Sequence, residues 1–246
     1  MHIQIDKTSE VDIQPFRVLF LQELNRQFIC NKCHQYGWAD VYLITINGIR
    51  VGYSAVWGTD RREDRDTIFE FYVLPLYRKF TNTLFPKLCS VTKATYIECQ
   101  SNDALLAAML YEYAHSINAE AILFEDYAST DLRASDGVFR QRTSDDIPEG
   151  DQSPYVLELN GAIVASGGLM LNYNLPFADI YMQVKEPFRR QGLGSFMVQE
   201  LKKVAYLMGR VPAARCNITN QISKATLQKA GLQTCGFRLK GVLKNE

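Results

Sequence analysis

Hydrophobic and polar residues follow two periods along this chain, and together they predict a succession of helices and strands. In residues 10–29 apolar side chains recur every three or four positions, which indicates an amphipathic helix. Residues 39–57 and 155–171 each alternate apolar and polar positions around an Asn-Gly pair, which predicts two β-hairpins. The remaining patterns predict helices over 84–92, 103–115, 194–208 and 222–230, and strands over 67–74, 95–99, 119–126, 138–143, 178–184, 213–219 and 232–241.

The predicted elements occur twice in the same order: hairpin, strand, helix, strand, helix, strand. Residues 127–137 are rich in turn formers and poor in apolar residues, which indicates a linker between the copies. Aligning Val73 with Val184 also aligns Arg78 with Arg189, and a proline and an aromatic residue precede each arginine. We therefore predict an internal duplication, with one domain over 1–130 and a second over 131–246.

Composition and charge narrow the function classes. The chain has 246 residues, with 27 basic and 27 acidic side chains, so no net charge favours nucleic acid or an anionic membrane as a partner. The N-terminus lacks a basic-then-apolar signal, and no apolar run approaches the ~18 residues of a membrane span. We expect a cytoplasmic protein that binds neither membrane nor nucleic acid.

The six cysteines are expected to be reduced in that compartment. Cys30, Cys33 and His34 match the C-x-x-C-H form of c-type haem attachment, but that chemistry requires export. A zinc site would need a second ligand pair at suitable spacing, which the sequence does not offer. We expect two thiols near the end of a helix and no metal.

Candidate chemistry lies in Arg189-Arg190-Gln191-Gly192-Leu193-Gly194-Ser195, between a predicted strand and a predicted helix. The first N–H groups of a helix lack intrahelical partners and carry partial positive charge, so they attract anions. Glycine lets a phosphate approach the main chain and allows positive φ. Thr81 and Thr83 replace the two glycines in the first copy, and β-branched residues disfavour that conformation. We predict that the second copy binds a phosphate and that the first does not.

Two other phosphate motifs fit less well. A P-loop requires lysine directly after its last glycine, and Ser195 follows Gly194. A dinucleotide fingerprint requires a third glycine where Met197 stands. A G-x-G pair at a helix start can also be a simple turn.

The wider context resembles the GNAT acyltransferase superfamily. Residues 184–194 are similar to its acetyl-CoA-binding motif, R/Q-x-x-G-x-G/A after a V-x-P-like strand end. Residues 220–232 resemble a second signature, N-x-x-S-x-x-x-L-x-K-x-G-F, with leucine in the last place. The resemblance covers about 150–240, and over 10–127 it rests on element order and on the Val73 register. The chain is thus similar to tandem GNAT proteins with one degenerate copy, here the N-terminal one.

The resemblance implies an α/β (α+β) fold: two GNAT-like domains, each a mixed, mostly antiparallel sheet flanked by helices. The strand before the motif parts from its neighbour and opens a slot for the pantetheine arm, while the pyrophosphate lies on the glycine loop. The implied acetyl-CoA-binding residues are Met182, Gln183, Val184, Arg189, Arg190, Gln191, Gly192, Leu193, Gly194, Ser195, Asn220 and Ser223. A main-chain N–H near Val184 is expected to polarise the thioester, a contribution of ~3 kcal/mol for one such donor.

The catalytic side chains depart from the family pattern. Many members carry a tyrosine acid where this chain has Leu227, which cannot donate a proton. The strand over 178–184 offers no evident base. Tyr173, at the end of a hairpin strand, and Glu158, if it faces the slot, are the candidate catalytic residues.

These features predict an N-acetyltransferase that moves an acetyl group from acetyl-CoA to a small-molecule amine or a peptide, by direct transfer in a ternary complex. A non-catalytic module that binds acetyl-CoA or a partner protein is the alternative, and Leu227 favours it. A third hypothesis is an aminoacyl transferase built on paired GNAT-like domains, but such proteins lack an intact R-x-x-G-x-G loop. The protein is expected to be a monomer or a homodimer.

Overall fold

The structure, a computed structural model, describes residues 1–23, 31–146 and 152–244. The chain forms two compact units: the first comprises Met1–Glu120 and Gly236–Glu246, and the second comprises Ala121–Cys235. These bounds differ from the predicted 1–130 and 131–246. The first unit ends inside a strand rather than in the linker, and the C-terminal residues belong to the first unit.

The secondary structure follows the predicted order, with an additional strand at the start and an additional short helix over Asn31–Gln35. The helices are α1 (Glu10–Glu23), α2 (Asn31–Gln35), α3 (Thr81–Thr92), α4 (Ala104–Tyr113), α5 (Leu193–Leu207) and α6 (Gln221–Lys229). The strands are β1 (Ile3–Thr8), β2 (Asp40–Ile46), β3 (Ile49–Trp57), β4 (Thr67–Val73), β5 (Tyr96–Gln100), β6 (Ala114–Asp126), β7 (Gly137–Gln141), β8 (Tyr155–Leu159), β9 (Ala162–Met170), β10 (Phe177–Val184), β11 (Val211–Asn217) and β12 (Leu232–Leu243). Within the described ranges, no helix is both long enough and apolar enough to cross a membrane.

Both hairpins turn at the predicted Asn-Gly pairs. Asn47 and Gly48 have φ of 50° and 80°, and Asn160 and Gly161 have φ of 50° and 77°. Positive φ at both central residues gives the turn a twist that matches the flanking strands, and asparagine and glycine tolerate it best. The helix predicted over 10–29 is confirmed up to Glu23, and residues 24–29 lie outside the described residues.

Each unit is built on a mixed, mostly antiparallel sheet, as predicted. In the first unit β1, β2, β3 and β4 pair antiparallel in that order, β4 pairs parallel with β5, and β5 pairs antiparallel with β12. In the second unit β7, β8, β9 and β10 pair antiparallel, β10 pairs parallel with β11, and β11 pairs antiparallel with β6. Among the described strands, each unit thus has one parallel pair, and it occupies the same place in both sheets.

Apolar faces of helices cover these sheets. In the second unit α5 buries Met197, Val198 and Leu201 completely, in one cluster with Val164 and Ala214 of the sheet. Leu201 lies four positions after Met197 and three after Val198, so all three residues lie on one helix face. The packing fixes the start of α5 relative to the ends of β10 and β11.

The first unit also buries a charged cluster that the sequence did not reveal. Glu70 on β4 is completely buried, and its carboxylate accepts from Arg17 Nε and Nη2 at 3.3 and 3.2 Å and from Tyr53 Oη at 2.8 Å. His34 lies with Nε2 3.2 Å from Glu70 and with Nδ1 2.9 Å from Glu10. Burial opposes the charge on His34, but Glu70 and Glu10 outweigh it and raise the pKa of His34 to about 9. Burial likewise opposes the charge on Glu70, yet Arg17 and His34 hold its carboxyl pKa well below the usual range.

Candidate functional site

The sheet of the second unit opens at the parallel pair. Strand β10 pairs with β11 only from Phe177–Ile180 to Val211–Ala214. Beyond that point β10 stays paired with β9 up to Val184, and β11 stays paired with β6 up to Asn217. The two strands therefore part after Ile180, and one edge of residues 181–184 faces the gap instead of β11. Main-chain N–H and C=O groups on that edge are available to an extended ligand.

The glycine loop follows the end of β10 and leads into α5. A short 3-10 helix over Glu186–Phe188 ends at Arg189, and Gly192 is the N-cap of α5. Arg190 and Gly192 both adopt left-handed φ, 63° and 81°. Successive residues of alternating hand turn main-chain N–H groups toward a common point, and α5 adds its unpaired N-terminal N–H groups there. This is the geometry of an anion site.

The two glycines of the loop serve different purposes. Gly192 needs its positive φ, since a Cβ built there would have open space and meet only Lys229 Nζ, at 3.6 Å. Gly194 lies inside α5, where a Cβ would come within 3.2 Å of Met182 Cε and of Thr226 Cγ2. Gly194 thus avoids a tight contact with two side chains, and Gly192 suits the left-handed conformation of the loop.

Several polar side chains predicted to contact the coenzyme also hold the loop in place. Arg189 Nε donates to the carbonyl of Val184 at 3.0 Å, and Ser195 Oγ donates to the carbonyl of Thr226 at 3.0 Å. Gln191 Nε2 donates to Pro187 at 3.4 Å. The side chains of Arg190 and of Lys229, whose ammonium lies beside Gly192, are exposed and add positive charge to the loop.

Asn220 closes the other wall as the N-cap of α6. Its Oδ1 accepts from the N–H of Ser223 at 3.0 Å, which satisfies one of the unpaired donors of that helix. Strand β11 ends at Asn217, and α6 begins directly after Asn220, so the cap residue lies on the far side of the gap from β10. The second signature motif therefore specifies local structure as well as a candidate contact.

We expect Asn220→Ala to lower the free energy of unfolding by about 1 kcal/mol, because the Ser223 N–H loses its acceptor. Urea denaturation of the purified variant measures this loss. Asn220→Asp keeps an oxygen at the same place and should retain most of the stability. Equal losses in the two variants would contradict a capping role.

Together these elements enclose a cleft of about 700 Å³. Its lining contains all of the predicted coenzyme-binding residues except Gln191: Met182, Gln183, Val184, Arg189, Arg190, Gly192, Leu193, Gly194, Ser195, Asn220 and Ser223. Sequence reasoning did not name the four other lining residues: Glu186, Phe188, Ile222 and Thr226. Of these, Phe188 and Glu186 belong to the 3-10 helix, and Ile222 and Thr226 belong to α6. The structure brings the predicted residues together, while their role in binding stays a prediction.

The catalytic candidates lie away from that cleft. Tyr173 is buried, and its hydroxyl accepts from Arg215 Nη2, with the guanidinium 5.0 Å from its ring centre. Glu158, on β8, binds Arg140 Nε and Nη2 at 3.0 and 2.8 Å. Neither is among the described lining residues of the cleft. Glu158 thus has an ion-pair partner on β7 rather than a place in the gap.

A smaller cavity of about 190 Å³ adjoins the cleft and shares Met182 and Ser223 with it. It contains Asp179 of β10 and Arg215 of β11, which form an ion pair of 3.2 Å. The sequence prediction found no evident base in 178–184 and missed this pair. The two residues are 36 positions apart, so only the pairing of β10 with β11 could have revealed it.

The turn before α3 in the first unit shares one hydrogen bond with the glycine loop of the second unit, but it has a different backbone conformation. Arg78 Nε donates to the carbonyl of Val73 at 3.0 Å, which is the contact that Arg189 makes with Val184. The residues that the sequence alignment paired between the two copies therefore make the same hydrogen bond in both. A 3-10 helix over Pro75–Phe80 then runs directly into α3 at Thr81, whose φ is −56°. No described residue of that turn has positive φ, so it lacks the left-handed residues that the second unit has at Arg190 and Gly192.

Comparisons with known proteins agree with this architecture. Residues 116–232 match the model of the Acetyltransferase (GNAT) family. No curated protein sequence matches the chain. Among solved structures, an acetyltransferase of the GNAT family from Colwellia psychrerythraea is similar with a TM-score of 0.73 at 13% identity, and the match covers 99% of this chain and 100% of that one.

Two further structures are similar over nearly the whole chain. A GCN5-related N-acetyltransferase from Sphaerobacter thermophilus has a TM-score of 0.61 at 12% identity, with 99% of this chain and 96% of that chain covered. A tandem GNAT protein from the clavulanic acid biosynthesis pathway has a TM-score of 0.60 at 11% identity, with both chains fully covered. At such identities these likenesses show the fold.

The gap between β10 and β11, followed by a glycine loop at the start of a helix, defines an acyltransferase fold of the GNAT type. Residues 116–232 are similar to the acetyltransferase (GNAT) family, and the whole chain has a fold similar to that of a tandem GNAT protein.

Proposed function

We propose that the second unit transfers an acetyl group from acetyl-CoA to an amine, while both substrates are bound. One observation carries the proposal: the 700 Å³ cleft runs from the anion nest at Gly192 to the gap beside β10. A ligand with a diphosphate at one end and an extended, amide-containing arm at the other suits that arrangement. Acetyl-CoA supplies the acetyl group as an activated thioester.

The residues present fit such a coenzyme. Main-chain N–H groups at the start of α5, with Arg190 and Lys229 beside them, supply donors and positive charge for a diphosphate. The edge of residues 181–184 supplies main-chain groups for the amides of the arm. Lys185 N–H bonds β9, so alternate residues turn their main-chain groups the other way, and those of Met182 and Val184 face the gap. The carbonyl of Val184 already accepts from Arg189, so Met182 carries more of that pairing.

Positioning is the main contribution that the chain makes to the chemistry. Holding both reactants in one gap removes the entropy cost of bringing them together, which supplies several kcal/mol of the barrier reduction. Leu227 is buried and lines the small cavity, where it excludes water rather than donating a proton. A thiol with a pKa of about 8.5 is a good leaving group and needs little acid assistance.

Acetyl-CoA is expected to raise the melting temperature by several degrees. A ligand at 100 times its Kd stabilises the folded state by about 2.7 kcal/mol. A thermal-shift titration with acetyl-CoA, coenzyme A and ADP measures this effect, with adenosine as the control that lacks a diphosphate. Absence of any shift with acetyl-CoA or coenzyme A would refute the proposed function.

Turnover separates an enzyme from a protein that only binds the coenzyme. Release of the free thiol from acetyl-CoA is followed with a panel of amines and peptides. Amine-dependent release supports the proposed activity. A thermal shift without release from any acceptor favours the non-catalytic alternative.

A further inference from the structure

The cavity of about 190 Å³ lies where β10 and β11 part. Asp179 belongs to the paired part of β10, and Arg215 is the first residue of β11 beyond the last pair, Ile180 with Ala214. Because the cavity shares Met182 and Ser223 with the cleft, it continues the space that runs along β10. Under the proposed function this is the place where an acceptor would meet the acetyl group.

The cavity combines one acidic and one basic residue with a lining that is otherwise uncharged. Its remaining lining residues are Met170, Ile180, Tyr181, Met182, Val198, Ser223 and Leu227. Asp179 is only 2% exposed, so its carboxylate has little contact with bulk water. Arg215 Nε lies 3.2 Å from Asp179 Oδ2, which places the two opposite charges side by side.

Arg215 is held in a fixed orientation. Its guanidinium lies 5.0 Å from the ring centre of Tyr173, and Nη2 donates to the Tyr173 hydroxyl. Stacking and a directed hydrogen bond remove much of the rotamer freedom of an arginine, and a preorganised fork binds a carboxylate at lower entropic cost. Tyr173 is therefore a positioning residue, which acts through Arg215.

We propose that this cavity recognises an acceptor with an amino group and a carboxylate on the same carbon, that is, a small α-amino acid; the proposal rests on the proposed acetyl transfer. The amino nitrogen and the carboxylate oxygens of such a molecule are about 3 Å apart by standard bond lengths, which matches the 3.2 Å between Asp179 and Arg215. The amino group lies at Asp179 and the carboxylate at Arg215. The cavity of about 190 Å³ is much smaller than the cleft of about 700 Å³, which favours an acceptor with a small side chain.

An ion pair between β10 and β11 also clamps the strands where they part. If the ion pair only stabilises the strands, loss of Arg215 should lower stability without changing the preference among ligands. Recognition predicts that the preference for a carboxylate disappears with Arg215. The two roles are therefore separated by ligand selectivity rather than by the melting temperature.

The test is a calorimetric titration of the full-length protein, saturated with coenzyme A, with a panel of α-amino acids. Each amino acid is paired with its amide and with the amine that lacks the carboxylate. We expect at least one small amino acid to bind at least tenfold more tightly than both of its analogues. Arg215→Gln should reduce that ratio to near one, and Asp179→Asn should weaken all three ligands. Lys203→Gln removes an exposed positive charge of the same unit and should leave the ratio unchanged.

Melting curves identify variants that do not fold. If Arg215→Gln is unfolded, Arg215→Lys keeps the charge beside Asp179 but loses the two-pronged donor, and it should still lower the preference. The proposal is overturned if amides or plain amines bind as tightly as the amino acids, or if folded Arg215 variants keep the wild-type ratio. It is also overturned if coenzyme A binds and no amino acid does, in which case the proposed function stands. Failure of coenzyme A itself to bind contradicts both.

Discussion

Gly192→Val is expected to abolish acetyl-CoA binding, with a loss of affinity of at least 100-fold. Gly192 has φ of 81°, a conformation that a β-branched residue reaches only at a cost of about 1–2 kcal/mol. A valine therefore turns the loop out of its left-handed form, and the N–H groups no longer converge on one anion. A 100-fold loss corresponds to about 2.7 kcal/mol of binding energy. Isothermal titration calorimetry with acetyl-CoA measures it.

Two control variants separate binding from strain. Gly209→Val introduces valine at another left-handed glycine of the same unit, with φ of 68° and open space around it, just after α5 ends. It should cost similar stability and leave acetyl-CoA affinity intact. Thr81→Val changes the equivalent position of the first unit, where φ is already −56°, and it should also leave affinity intact. Equal loss of affinity in Gly192→Val and Thr81→Val would refute the predicted difference between the copies.

Glu70→Gln is expected to destabilise the first unit by about 3–5 kcal/mol, which is the usual cost of removing one partner from a buried ion pair. The carboxylate is completely buried between Arg17 and His34, and an amide removes the negative charge that faces Arg17 and leaves His34 with Glu10 alone. Denaturant unfolding measures the loss. Asp131→Asn makes the same chemical change at a side chain that is 87% exposed, and it should shift stability by less than ~0.5 kcal/mol. A loss below 1 kcal/mol in Glu70→Gln would contradict the role of this cluster.

The same cluster predicts a pH dependence of stability. The pKa of His34 in the folded protein is about 9, above the ordinary value of 6.5, so folding favours the protonated ring. Its contribution is complete below pH ~6.5 and disappears as the pH rises through about 9. We expect unfolding free energy to fall by roughly 2–3 kcal/mol across that window. His34→Gln should flatten this part of the profile, and an unchanged profile would show that His34 is not protonated in the folded state.

Much of the fold could be predicted from local sequence patterns. Three signals depend only on residues that are close in sequence: the Asn-Gly turns, the alternation of the hairpins and the periodicity of α5. They can therefore be recognised without the structure. Strand β1 was missed because only Ile3 and Ile5 are buried within it, a pattern too short to separate from a loop. The helix after the first loop begins at Thr81 rather than 84, because the loop itself is helical there.

Only those parts of the candidate site that lie in short sequence motifs could be predicted from the sequence. The glycine loop and Asn220 stand in short, recognisable sequences, and the structure places them around one cleft. The pair of Asp179 and Arg215 and the cluster around Glu70 join residues that are 17 to 53 positions apart. Strand pairing brings Asp179 and Arg215 together, and the packing of α1 and α2 against β4 brings Arg17 and His34 to Glu70, so no local pattern predicts these contacts. The sequence predicted coenzyme contacts for Arg189 and Ser195 but not their hydrogen bonds to the carbonyls of Val184 and Thr226.

A crystal structure of the protein with bound coenzyme A tests the central claim most directly. The account predicts the diphosphate at the start of α5, within hydrogen-bond distance of N–H groups between Gly192 and Ser195, with the pantetheine arm along residues 181–184. The turn before Thr81 should carry no coenzyme. Coenzyme bound elsewhere, or equally at both loops, would contradict the account.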